Sequence, residues 1–253
     1  MFAFGVLLNL GPRIGKYNDD GSANELVGHS LVLSFVGLLT LIVGFFGFLG
    51  ACLIWAGSDF GGWINIYGAP ATLSSFAFNT LMGLAGGMIG AFWWSKGNPF
   101  WMMSGALAGI ISVASGLDVY FPALAFIVAI GAGLLLRPAA RMLEAFGIDD
   151  AVGAVTVHGT IGVYGMVVFG VFAAGYPALF IENAPTVSIL GQLVGAIVCS
   201  LCGFVPGYLL SLGLGGLGML RTPEAAEIAG LDPTKVPAQA YPEGIPTSAQ
   251  PAE

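Results

Sequence analysis

Charge is the scarcest property of this chain. Asp, Glu, Lys and Arg together make up only 8% of its 253 residues, where a soluble domain carries about 25%. The 7 basic residues are outnumbered by 14 acids and form no basic patch, which argues against a nucleic-acid partner. With 3 cysteines and 2 histidines there is no disulfide framework and no metal-ligand cluster. No nucleophile–base pair is recognisable either, so neither an enzyme nor a cofactor is expected. The ten-residue alternating segments of a membrane β-barrel are also missing.

Apolar runs fill the space. Hydrophobic residues reach 57% and the mean hydropathy is +0.89. The runs are long and unalternating, which predicts an all-α polytopic membrane protein embedded in a lipid bilayer. Six full spans are expected, over His29–Gly57, Ala69–Ser95, Phe100–Gly116, Phe121–Ala145, Ala151–Gly175 and Val187–Leu220. They form a membrane domain over 29–220. Ahead of it come an incomplete helix over 1–10, too short to cross a bilayer that needs about 20 helical residues, and a loop over 11–28. The first segment lacks the basic start and cleavage site of a signal peptide. Residues 221–253 are a Pro-rich, acidic tail, irregular apart from a short helix at Pro223–Ala229.

The basic residues set the topology. Arg13, Lys16, Lys96, Arg137, Arg141, Arg221 and Lys235 all fall on one side of the expected spans. The connections Ser58–Gly68, Leu117–Tyr120 and Tyr176–Thr186 contain no Lys or Arg. The positive-inside rule makes the basic side cytoplasmic, so the C-terminus is cytoplasmic too.

Several of the 40 glycines lie four apart, as Gly83 and Gly87, Gly86 and Gly90, Gly105 and Gly109. That spacing lets membrane helices approach closely. The string Gly213, Gly215, Gly218 imitates a dinucleotide fingerprint, but no strand precedes it. Cys199 and Cys202 sit among apolar neighbours and read as buried small side chains. Asp149 and Asp150 precede a span, where carboxylates cap free amides and oppose the helix dipole.

His158 is the residue that asks for a function. It lies inside the uncharged stretch Ala151–Ala174, and an ionisable group inside a span marks a pathway or a bundle interior. Ala154 and Gly162, four residues to either side, are small and suit a narrow lumen. In the first span Phe45, Phe48 and Cys52 are spaced to share one helix face, with Phe46 pointing away.

In chain order, Gly11-Pro12-Arg13-Ile14-Gly15-Lys16-Tyr17, the Phe-Gly-Phe span, Asn79-Thr80, Ser104-Gly105-Ala106-Leu107-Ala108-Gly109 and Asp149-Asp150…Val157-His158-Gly159 resemble the ammonium transporter family (Amt/MEP/Rh). Gly230-Leu231-Asp232 with Ala240-Tyr241-Pro242 looks like that family's tail. The resemblance implies an ammonium-transporter-like helix bundle that corresponds to the second inverted repeat plus the last long helix, the sixth to eleventh spans. The first repeat, with the other histidine of the family's pair and the upper phenylalanine of its gate, has no counterpart in this sequence. A half pore of this kind is expected not to conduct alone.

The resemblance further implies transport of ammonium or ammonia across the inner cell membrane, assembly as a homotrimer, and a PII-type regulatory partner at the tail. A sensor or regulatory subunit without transport is the alternative. By resemblance Phe48 is the lower gate ring and Phe45 stands at a vestibule tryptophan position. Cys52 stands at a serine position that contacts ammonium, Ala114 at a threonine position of some members, and Ala154 beside the lumen. His158 is the second pore histidine.

Overall fold

The computed structural model describes residues 1–26, 28, 30–53, 64–178, 180, 182–231 and 234. Their order is α1 (Phe2–Leu10), α2 (Leu31–Leu53), α3 (Leu73–Ser95), α4 (Pro99–Val113), α5 (Pro122–Ala145), α6 (Ile161–Phe172), α7 (Ile189–Gly216) and α8 (Glu224–Ala229). A 3-10 turn over Ala114–Gly116 continues α4, and a π-helical turn over Val155–Thr160 leads into α6. Among the described residues there are no strands, only isolated bridges such as Tyr17 with Ala23 and Ile64 with Pro70. Six segments among the described residues are long and apolar enough to cross a membrane. The protein is thus an all-α polytopic membrane bundle.

Local chemistry sets the helix ends. Thr72 and Ser75 form a reciprocal capping box at the start of α3, and Lys96 ends that helix in a left-handed conformation. Asn98 caps α4 with Pro99 just inside, and Pro122 opens α5 in the same way.

Glycine sets the packing. α3 crosses α4 and α5 at the core of the bundle. A Cβ on Gly105 would lie 2.6 Å from the Gly87 carbonyl oxygen, and one on Gly87 would strike the backbone of Gly105 and Gly109. Gly86 and Gly90 press in the same way on the backbone of α5 at Phe126 and Ile130. Close approach of this kind replaces the hydrophobic driving force, which lipid removes.

Helices α3 to α6 bury nearly half of their residues, whereas α2 and α7 bury few. Helix α2 rests on α3 and α4, and α7 on α1 and α6. Cys199 and Cys202 are therefore exposed, contrary to the buried setting their apolar neighbours imply. The reason is geometric: α7 is apolar all round, so apolar neighbours in sequence do not indicate which face is covered. Helix α1 lies along α7 in close contact. A Cβ on Gly5 would meet the Phe204 carbonyl oxygen at 2.6 Å, and Asn9 Nδ2 donates to Ser211 Oγ at 2.8 Å.

The bundle has two unlike poles. At one, Arg13 pairs with Asp149, Lys16 with Glu144 and Arg221 with Glu227. Arg137 and Arg141 lie at the same end, in a cavity they share with Glu144 and the α3–α4 connection that carries Lys96. At the other, the Ile66 amide donates to the Val119 carbonyl at 3.2 Å, Tyr67 meets the Phe121 ring and Phe180 covers Gly68. Lys235, His29, 54–63 and most of the tail lie outside the described residues.

Candidate functional site

The segment around His158 is built from its first turn. The Asp150 carboxylate accepts hydrogen bonds from the Thr156 amide at 2.8 Å and the Thr156 hydroxyl at 2.9 Å. This is the expected capping role. Asp149 does something else. Its carboxylate accepts two bonds from the Arg13 guanidinium, at 2.7 and 2.9 Å, and one from the Arg13 amide at 3.0 Å. Burial pushes the Asp149 carboxyl up, but those bonds and the charges of Arg13 and Lys16 outweigh it and leave it below its ordinary value. The Gly-Pro-Arg motif thus anchors the loop ahead of the histidine helix.

Between the two aspartates and the histidine the chain turns at Gly153, whose φ of 73° favours glycine. The helix then begins with wide turns, and the Ile161 amide donates to the Thr156 carbonyl, five residues back. Single π turns of this kind recur at functional sites, because they re-aim side chains and loosen the backbone ladder. His158 lies in the middle of this one. Val155, Thr156, Val157 and Gly159 are buried while His158 is exposed on the bundle face, with Ala154 half-buried beside it. Ala154 and Gly162 therefore do not flank His158 at regular helical spacing.

The α2 residues divide. Phe45 and Phe46 pack against the main apolar cluster with Leu49, and Phe46 meets Phe76 edge-on at 6.3 Å. Phe48 is 66% exposed, and Cys52 is exposed beside it, its thiol 3.5 Å from the Phe48 carbonyl. Phe45 and Phe48 thus do not share one environment, although three-residue spacing sets them on one side of a helix. The cause is that α2 touches the bundle only along a narrow stripe, and the edge of that stripe falls between them. Ala114 joins the Phe45 cluster from the 3-10 turn after α4. His158 is not in that cluster; its neighbours Val157 and Ile161 belong to a second one.

Tyr164 borders both clusters and had no signal in the sequence beyond its phenol inside a span. Its hydroxyl donates to the Val128 carbonyl at 3.0 Å, which locks α6 to α5. Asn79, singled out by its motif, donates to the carbonyls of Leu117 at 2.8 Å and Tyr120 at 2.7 Å. Thr80 bonds back to Phe76. Both positions therefore hold the fold. Near them, at the pole without lysine or arginine, burial pushes the Asp118 carboxyl up. Burial, and then the charge of Asp118, push the Tyr176 phenol up to about 12.

A model of the Ammonium Transporter Family matches residues 1–241. The chain belongs to the ammonium transporter family. Similar relatives include the Amt2 ammonium transporter of Methanocaldococcus jannaschii, 34% identical over 243 residues, which cover 95% of this chain and 53% of that protein. Amt1 of the same organism is 35% identical over 236 residues, 92% of this chain and 56% of the relative. Among solved structures, one titled "Sensor Amt Protein" aligns with TM-score 0.77 and 27% identity over 93% of this chain and 56% of its own. Saccharomyces cerevisiae Mep2 aligns with TM-score 0.66 and 19% identity over 87% and 50%, and shows the ammonium-transporter fold alone. The chain spans about half the length of the relatives it matches.

Proposed function

We propose that this chain carries ammonium or ammonia across a membrane by forming one wall of a conduction path, the other wall coming from a further part of the polypeptide or another chain. The observation that carries the reading is His158, exposed on a π-helical turn inside an uncharged span. A lumen with an imidazole and otherwise apolar walls discriminates by desolvation. Neutral ammonia enters at small cost, whereas a bare cation loses several kcal/mol or more of hydration. Ammonium can surrender a proton to pass such a barrier and potassium cannot, so the selection is chemical.

In this reading Phe48 is a gate ring, and Phe45 presents an aromatic face worth roughly 0.5–2 kcal/mol to an approaching cation. Cys52 contacts the cation, Ala114 and Ala154 line the lumen, and His158 donates and accepts hydrogen bonds within it. Homotrimeric assembly, residence in the inner membrane with the tail cytoplasmic, and contact of the tail with a PII-type protein belong to the same proposal.

The test is uptake of methylammonium in transport-deficient cells. Co-expression or fusion with a first repeat from a relative should give saturable uptake, and His158→Ala in that pair should lower flux or selectivity. Robust uptake with wild-type selectivity by the His158→Ala pair would remove the basis of the proposal. A sensor reading is favoured by the likeness to the "Sensor Amt Protein". It requires that the paired protein bind ammonium and signal through the tail with no uptake at all.

A further inference from the structure

At the charged pole, away from His158, a cavity of about 270 Å³ opens between the ends of α3, α4 and α5. We propose that it holds the phosphate of an anionic phospholipid headgroup. Arg137 and Arg141, one turn apart on α5, present two guanidiniums to it. Neither is salt-bridged among the described residues. Guanidinium forks match phosphate oxygens in pairs, which makes arginine the preferred partner of that group.

The other walls agree. Asn98 and Trp101 bring in the first turn of α4, a 15-residue helix whose dipole favours an anion. Pro99 carries no amide proton and Asn98 already caps the Trp101 amide, so the field rather than a row of free amides is what the turn contributes. Ser95 lines the cavity, and its hydroxyl oxygen is buried with no hydrogen-bond partner. A buried hydroxyl without a partner costs free energy that a bound anion would recover. Two carboxylates also face the space. Lys16 Nζ holds Glu144 at 2.7 Å, which leaves Glu25 as the one opposing charge against two guanidiniums.

The depth points to lipid as the source. Trp94 and Trp101 meet edge-on at 4.9 Å in the wall, and Arg137 lies 5.6 Å from the Trp94 ring centre. Trp93 on the outer face of α3 is 80% exposed. Tryptophan gathers at headgroup level, and basic pockets between helix ends take anionic headgroups. The cavity is slightly smaller than the roughly 300–1,000 Å³ of drug-sized sites, which suits a phosphate and its ester substituent.

Titration of the purified full chain with phosphatidylglycerol, counted by native mass spectrometry beside phosphatidylcholine, tests this. Phosphatidylglycerol should bind preferentially, and Arg137→Gln with Arg141→Gln should weaken it roughly tenfold, the equivalent of about 1.4 kcal/mol. Asn98→Asp keeps the helix cap but adds a negative charge, so it should weaken binding even if the double variant fails to fold. Glu25→Gln should tighten it. Unchanged phosphatidylglycerol binding in the variants overturns the site. Displacement of the lipid by millimolar inorganic phosphate overturns the lipid as its occupant.

Discussion

Asp149 shows how one carboxylate ties two distant stretches of chain. It is nearly buried and takes three hydrogen bonds from Arg13, whose side chain is 40% exposed. Removing one partner leaves the other's donors or charge unsatisfied, which costs more than the pair itself gains. Asp149→Asn should therefore destabilise the protein by about 2 kcal/mol, a figure reduced for solvent screening at the exposed arginine. The pH dependence has a definite sign. The folded carboxyl lies below its ordinary value. Its contribution is therefore complete above about pH 4, the ordinary aspartate range, and is lost as pH falls through the lower folded value. Thermal melting in detergent across acid pH checks both points: the wild type should lose stability in that window and the asparagine variant should be flatter. Equal curves would dismiss the pair as a stabilising element. The role of Asp149 was hidden in the sequence because a capping position and an ion-pair position look alike there. Only the approach of Arg13, 136 residues away, decides between them.

At the scale of the helix, the glycine spacings were legible and the faces were not. Gly83, Gly87, Gly105 and Gly109 all stand at crossings, as spacing by four implies. Gly44, with Thr40 and Phe48 four residues to either side, has no such partner, and nothing lies within 4 Å of an added Cβ there. Substitution with alanine separates the two kinds. Gly87→Ala drives a methyl into the Gly105 and Gly109 backbone, which cannot yield, and should cost about 1–3 kcal/mol. Gly44→Ala should be neutral or gain up to about 1 kcal/mol of helix propensity. Melting temperatures of the two variants make the comparison, and a Gly87→Ala protein as stable as wild type would refute the close crossing. The π turn at His158 was not legible either. Apolar helices carry no periodic signal that distinguishes five-residue from four-residue bonding, and the Asp150–Thr156 clamp that accompanies the turn spans six residues without a named motif.

For the whole molecule, the long apolar runs and the grouping of Lys and Arg were enough to predict the span number and the two poles. They predict more than chemistry at the ends. Tyr67 at the pole without basic residues and Lys96 at the basic pole should face opposite sides of the membrane. Cysteine placed at either position, in a background without Cys52, Cys199 and Cys202, should react with an impermeant reagent from opposite sides. Reaction from one side would overturn the topology. The outer helices were the least legible part, because lipid and protein are equally apolar neighbours and sequence cannot say which a leucine touches.

The contact between α1 and α7 also bears on how the chain is made. Asn9 finds its partner Ser211 only 202 residues later. At about 5–20 residues per second, synthesis leaves that amide waiting roughly 10–40 s before α7 exists. Helix α1 must be sheltered during that interval by the insertion machinery or by lipid headgroups, and this edge of the bundle closes only when α7 arrives.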